Sequence, residues 1–312
     1  MASALKKTLA FSLKFGISGA LLYLVLSRAG AARVIGAVAE ADPRAFAGAV
    51  GLFLFMVALT SMRWGLLLGG RFGRGLIYRL NLMGVFFNTF MPGIVGGDAL
   101  KVYYLYRRSG QGVEAIASAF MDRYLGYAGL MCVGLVAYPF GVRFFAGTPV
   151  VWLLPGVLAL FGAGSFAVFR LRMGRGIGVV GRMHEHFARY WGDRRVMARA
   201  FGLSVSVHLL SSVLVYVLAH GLGLDLPMRV VLIAVPIAAT VSALPITLSG
   251  LGVREYAMVL VLGTQGVSAE QATALSFLWF VAVAAGGLPG ALVYLAMKGE
   301  GGGGGVPSDP SD

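Results

Sequence analysis

Residues 92–101 read PGIVGGDALK and residues 245–254 read PITLSGLGVR. Each stretch has a proline, a glycine five positions on (Gly97, Gly250) and a cation nine positions on (Lys101, Arg254). The two prolines are 153 positions apart (245 less 92) in a chain of 312 residues. Both stretches sit in apolar sequence. Proline removes a backbone donor and disfavours helix at the residue before it. Glycine then lets the chain turn. The pattern predicts two related halves, each with a membrane helix broken at the same point and a cation just past the break, which is a recurring layout of transport sites.

Composition sets the environment. Mean hydropathy is +0.82, 58% of residues are hydrophobic and 12% are charged. Soluble domains carry about 25% charged residues, so the chain reads as a membrane protein. Long charge-free windows run 45–62, 80–97, 124–142, 144–169, 200–224, 230–253 and 271–297, with a shorter one at 15–27. A spanning helix needs roughly 17–25 apolar residues. The lone Cys132 offers no disulfide framework. The start of the chain (Lys6, Lys7, an apolar run, then AGAA at 29–32) is read as an uncleaved first span. The net charge of +13 does not indicate nucleic acid, because the cations follow loop sidedness.

Lysine and arginine mark the cytoplasmic side of short loops. Lys6 and Lys7 place the N-terminus inside; Arg71, Arg74 and Arg79 place the end of the second span inside. Lys101, Arg107 and Arg108 read as inside again, so 80–108 is expected to enter, turn at Pro92–Gly97 and leave as a re-entrant hairpin. Eight arginines between Arg170 and Arg199 face only Glu185 and Asp193, the strongest inside signal. The expected fold is all-α and polytopic: spans at about 8–27, 45–63, 113–139, 148–169, 200–221 and 271–297, with hairpins at 80–108 and 229–262. That gives one membrane domain over 1–297, with two inverted repeats (8–139 and 148–297) of three spans and a hairpin each. Full crossing at both breaks, giving eight crossings, is the alternative. A Gly-rich disordered tail follows at 298–312. The basic stretch 170–199, with Met183, Phe187, Tyr190 and Trp191, fits an amphipathic helix on an anionic leaflet.

Backbone groups freed in hydrocarbon must be satisfied by protein or by a polar cavity. Pro92, Gly96, Pro245 and Ser249 are therefore read as hairpin breaks lining such a cavity. Helix starts are expected near Asp98 and Leu251. Their N–H groups and partial positive charge suit an anion, and Lys101 and Arg254 add full charges. Asp98 and Glu255 either pair with these cations or relay protons. Asp122 and Arg123 lie about 13 Å into a span at 1.5 Å per residue; being adjacent, they need separate partners. Arg123 is a further candidate for an anionic head group. Arg63 and Lys14 read as interfacial anchors, and His208 as a satisfied interior histidine. His184 and His186 around Glu185 are a weak metal signal, and no metal or cofactor is expected. Neither a Walker loop nor a GxSxG serine occurs in the sequence.

These stretches, NTFMPGIVGGDALKVYYLYRRSGQGVEAIASAFMDRYLG at 88–126 and LPITLSGLGVREYAMVLVLGTQGVSAEQATALSFLWF at 244–280, resemble the lysylphosphatidylglycerol synthase transmembrane, or flippase-like, family. In the multiple peptide resistance factor a domain of this kind is held to move aminoacylated phosphatidylglycerol between leaflets. The resemblance implies that Gly97, Asp98, Lys101, Arg123, Gly250, Arg254 and Glu255 form a lipid head-group cavity. That factor also carries a soluble aminoacyl-transferase domain, which has no counterpart in this sequence, so synthesis of the aminoacyl lipid is not expected. The expected function is a lipid flippase or scramblase for an anionic head group, in the bacterial cytoplasmic membrane with both termini cytoplasmic. Its expected partners are membrane lipids and not nucleic acid, with a homo-oligomer left open. The alternatives are a secondary transporter of a small anion, or an accessory or transferase protein acting on polyprenyl-linked sugars.

Overall fold

A computed structural model of the chain describes residues 23, 27, 30–90, 96–171, 187, 190, 192–243 and 250–301. Among these residues every regular element is helical. A short helix, α1 (Ala31–Ala39), occupies what the sequence reads as a loop, and it packs on α10 below. Then come α2 (Pro43–Leu67), α3 (Arg74–Phe90), α4 (Gly96–Ser109) and α5 (Gly112–Gly141). The second half holds α6 (Leu153–Ser165), α7 (Arg194–Gly221), α8 (Met228–Ala243), α9 (Val253–Gly263), α10 (Ala269–Gly287) and α11 (Pro289–Gly301). The break between α10 and α11 falls at Pro289, which cannot donate to the preceding turn.

Among the described residues five helical segments are long and apolar enough to cross a membrane: Pro43–Leu67, Gly112–Phe145, Pro149–Arg170, Arg194–Gly221 and Ala269–Lys298. The protein is therefore an all-α, multi-pass membrane protein. The first expected span, 8–27, lies largely outside the described residues, as do most of the basic stretch 170–199 and the tail beyond 301. Helix α11 runs to Gly301.

Helix starts follow local chemistry. The Asp42 carboxylate accepts from the Arg44 N–H at 2.9 Å, with Pro43 in the first position of α2. Asp193 caps α7 through the Val196 N–H at 3.0 Å. Ser268 and Gln271 form a reciprocal capping box at α10. The hairpin helices are shorter. At 1.5 Å per residue, α3, α4, α8 and α9 measure about 26, 21, 24 and 17 Å, each less than a hydrocarbon core of about 30 Å.

Helices α2 and α7 form the most extensive contact and make the centre of the bundle. Around them, α5 packs on α7 and α10 packs on α2; α8 packs on α5 and α3 packs on α10. Each hairpin closes on itself, α3 with α4 and α8 with α9. Exchanging the helices of the two halves leaves this set of pairings unchanged. Small residues set the closest approaches, as expected where lipid provides no hydrophobic drive. A side chain at Gly129 of α5 would put its Cβ 2.6 Å from the Ser204 Cβ of α7. The largest apolar core lies between α5 to α10 and includes Leu214, Leu218, Ile233, Met258 and Leu275. A second lies under the first hairpin, around Trp64, Leu80 and Met83.

Candidate functional site

Asp98 sits in the first turn of α4, and Lys101 follows one turn later on the same face. The Lys101 Nζ lies 2.9 Å from Asp98 Oδ1, and Asp98 Oδ2 accepts from the Nε of Arg123 on α5. Lys101 also donates to Asn81 Oδ1 of α3 at 3.1 Å. Asn81 in turn donates to Ser61 Oγ of α2 at 3.0 Å, and Ser61 donates to the Val57 carbonyl at 2.7 Å. The ammonium is 5.0 Å from the centroid of the Trp64 ring, close enough for a cation–π contact. Gly84 makes room for this side chain: a Cβ there would lie 2.8 Å from Lys101 Cδ. The same residue admits α4, because a Cβ on Gly97 would collide with the Gly84 carbonyl. Gly97 donates its N–H to Asn88 Oδ1 at 2.9 Å, so one N–H at this helix start already has a partner. Gly96 is the first residue of α4.

Asp122 and Arg123, adjacent on α5, turn to different neighbours. Arg123 meets Asp98; Asp122 Oδ1 accepts from Arg63 Nε at 2.7 Å. Arg63 also donates to Ser204 Oγ of α7 at 2.9 Å. Arg63 is thus no interfacial anchor. It is 5% exposed and ties α2 to α5 and α7, because a cation inside the bundle has to find a carboxylate there. His208 of α7 has Nε2 2.8 Å from the Gly126 carbonyl, a satisfied interior position.

The charged members of this network line one cavity of about 350 Å³. Its charged lining is Arg63, Lys101 and Arg123 against Asp98 and Asp122, with Asn81, Asn88 and His208 beside them. Three cations against two carboxylates leave one positive charge in excess when His208 is neutral. Among the described residues no buried side-chain nitrogen or oxygen lacks a partner. The cluster is a complete network with a net sign, able to attract an anion and to exchange one carboxylate for another around Arg123 and Lys101. No group of three or more His, Cys, Asp or Glu side chains comes together among the described residues.

The second hairpin is built differently. Gly250 and Gly252 have φ of 76° and 84°, a left-handed region that glycine enters without the Cβ penalty. The Glu255 carboxylate reaches back to the Gly252 N–H at 2.6 Å. Its other oxygen accepts from Arg254 at 2.6 Å and from Ser276 Oγ of α10 at 3.0 Å. Arg254 Nε donates to the same Ser276 Oγ at 3.0 Å, and its guanidinium lies 5.8 and 5.2 Å from the Trp279 and Phe280 rings. Glu255 is 1% exposed and Arg254 8%.

Of the residues expected from sequence, Asp98, Lys101 and Arg123 come together in the charged cavity, with Gly97 packed behind them. Gly250, Arg254 and Glu255 form a second cluster, and Arg254 and Glu255 are absent from the lining of that cavity. Pro92, Pro245 and Ser249 lie outside the described residues. Sequence reasoning passed over Asn81 and Asn88. Both were legible as amides inside an otherwise apolar window.

The fold and site define a polytopic helical membrane protein with a charge-lined cavity beside α3 and α4. The chain belongs to the family described as the lysylphosphatidylglycerol synthase TM region, which matches residues 11–290. No curated protein matches it.

Proposed function

We propose that this protein moves an anionic lipid, or a lipid-linked anionic head group, between the leaflets of the bacterial cytoplasmic membrane. Both termini face the cytoplasm in this reading, following the arginine-rich loops. The observation that carries it is the buried network around Asp98: two cations on one carboxylate, a third cation nearby, and one positive charge in excess around a cavity. Ionisable groups at such depth are costly and mark substrate paths in membrane proteins more often than scaffolding. The matched helix pairings of the two halves, with hairpin helices shorter than the hydrocarbon core, support a pair of oppositely oriented repeats. Transport is favoured over group transfer because both Asp98 oxygens are engaged by cations.

The test is movement of fluorescent phosphatidylglycerol in proteoliposomes, read by quenching from outside. Lys101→Gln and Arg123→Gln are expected to slow it at least about tenfold, the scale of losing one charge-assisted contact, while the purified variants stay monodisperse. Unchanged rates in both would refute the reading. Uptake of a soluble anion without lipid movement would move the assignment to a secondary transporter. Loss of a chemical product in Asp98→Asn would move it to a transferase.

A further inference from the structure

Helices α4 and α5 are joined by a short turn and splay apart into an apolar groove of about 800 Å³. Its walls are two stripes at helical spacing, among them Val102, Tyr103 and Tyr106 on α4 and Ile116, Phe120 and Tyr124 on α5. The groove is open along its length: Tyr103, Tyr106, Ile116 and Phe120 are 50%, 48%, 40% and 39% exposed. Its inner end is Asp98, Arg123 and Tyr127, and these three also line the charged cavity. An apolar groove therefore meets a polar cavity at Arg123. That side chain is the most open of the three cations, at 34% against 9% for Lys101 and 6% for Arg63.

We propose that this groove holds the hydrocarbon chain of an anionic lipid while its head group sits at Arg123, so that α4 and α5 form the lateral doorway of the transport path. The inference rests on the lipid-transport reading above and deepens it. The shape matches an amphiphile: apolar walls outside, a positive excess inside, one boundary between them. A soluble anion would use the chamber and leave the groove without an occupant. The second large groove, about 1080 Å³ between α2, α3 and α7, shares only Ser61 with the network described above and does not reach Asp98 or Arg123. It provides a control surface.

The experiment uses the full chain in phosphatidylcholine vesicles containing phosphatidylglycerol with a photoactivatable diazirine on one acyl chain. Labelled positions are mapped by peptide mass spectrometry. Label is expected to concentrate on Tyr103, Ile116 and Phe120, and to fall about tenfold in Arg123→Gln. An equal spread over the exposed Phe140, Leu160 and Leu292, or labelling indifferent to Arg123→Gln, would overturn the proposal. In the quenching assay, Ile116→Trp and Val102→Trp are expected to slow lipid movement about tenfold by filling the groove, and Leu203→Trp in the other groove to leave it unchanged. If Lys101→Gln stops movement and both groove variants run at the wild-type rate, the doorway is wrong and the transport reading stands. If the wild type moves no lipid and label still concentrates in the groove, the doorway holds as a lipid site and the transport reading fails.

Discussion

In the first hairpin the carboxylate comes three residues before its cation; in the second it comes one residue after. Asp98 shares its oxygens between Lys101 of its own helix and Arg123 of the next, and the cluster opens on a cavity. Glu255 closes on its neighbour Arg254, on Ser276 and on the Gly252 N–H, and the Arg254 guanidinium lies over Trp279 and Phe280. The two breaks share their proline–glycine–cation spacing. The two hairpin cations are equally buried; what differs is that the first cluster lines a cavity and the second closes on its own helix start.

The largest effect should come from removing the sealed acid. Glu255→Ala leaves Arg254 buried without a counter-charge, and loss of one partner of a buried pair costs about 3–5 kcal/mol. Asp98→Ala removes a carboxylate from a cluster in which Lys101 keeps Asn81 and Arg123 is partly open, so a smaller loss of about 1–3 kcal/mol is expected. Reversible unfolding in detergent compares the two. Equal losses would break the distinction between an open and a sealed cluster.

The glycines sharpen it next. Gly97→Ala drives a Cβ into the Gly84 carbonyl, and Gly250→Ala places one 2.5 Å from the Ser242 Cβ. Overpacking of either kind costs about 1–3 kcal/mol. Gly250 adds a left-handed backbone at φ 76°, a further 1–2 kcal/mol or so for a residue with a side chain. Both should lower the melting temperature, Gly97→Ala through a clash with backbone and Gly250→Ala through a clash and a strained φ. Under the proposed role, Gly97→Ala should slow lipid movement more, because it displaces α4 from Lys101's chamber. Faster lipid movement in Gly97→Ala than in Gly250→Ala would contradict the picture.

Much of this was legible in the chain. Apolar windows located the five described spans, since length and hydropathy are one-dimensional properties. Helices α4 and α9 start within two residues of the expected Asp98 and Leu251. What was not legible depends on which helix faces meet. Arg63 ends an apolar run and reads as an anchor, yet its partners Asp122 and Ser204 are 59 and 141 residues away. Asn81 and Asn88 acquire their roles only when α4 packs against α3. Nor does the spacing of cations reveal that Arg254 stays outside the chamber that Lys101 lines. That follows from Glu255 being able to fold back on its own helix start.

The smallest expected effect separates scaffolding from site most cleanly. Ser276→Ala removes a hydroxyl that accepts from Arg254 and donates to Glu255, a loss of about 1 kcal/mol. The pair itself remains, held at 2.6 Å and by the Gly252 N–H. Stability should fall slightly and lipid movement should not change. Asn81→Ala takes the matching step in the first half. It also removes one partner of a cation, at a similar stability cost of about 1 kcal/mol. Here the freed Lys101 Nζ lines the chamber, so its hold on a head group should change and the rate of lipid movement with it. Two substitutions of equal structural cost and unequal functional cost would place the working charge in the first half. Equal functional cost would mean that both halves handle the cargo in turn, with the sealed pair opening during the cycle.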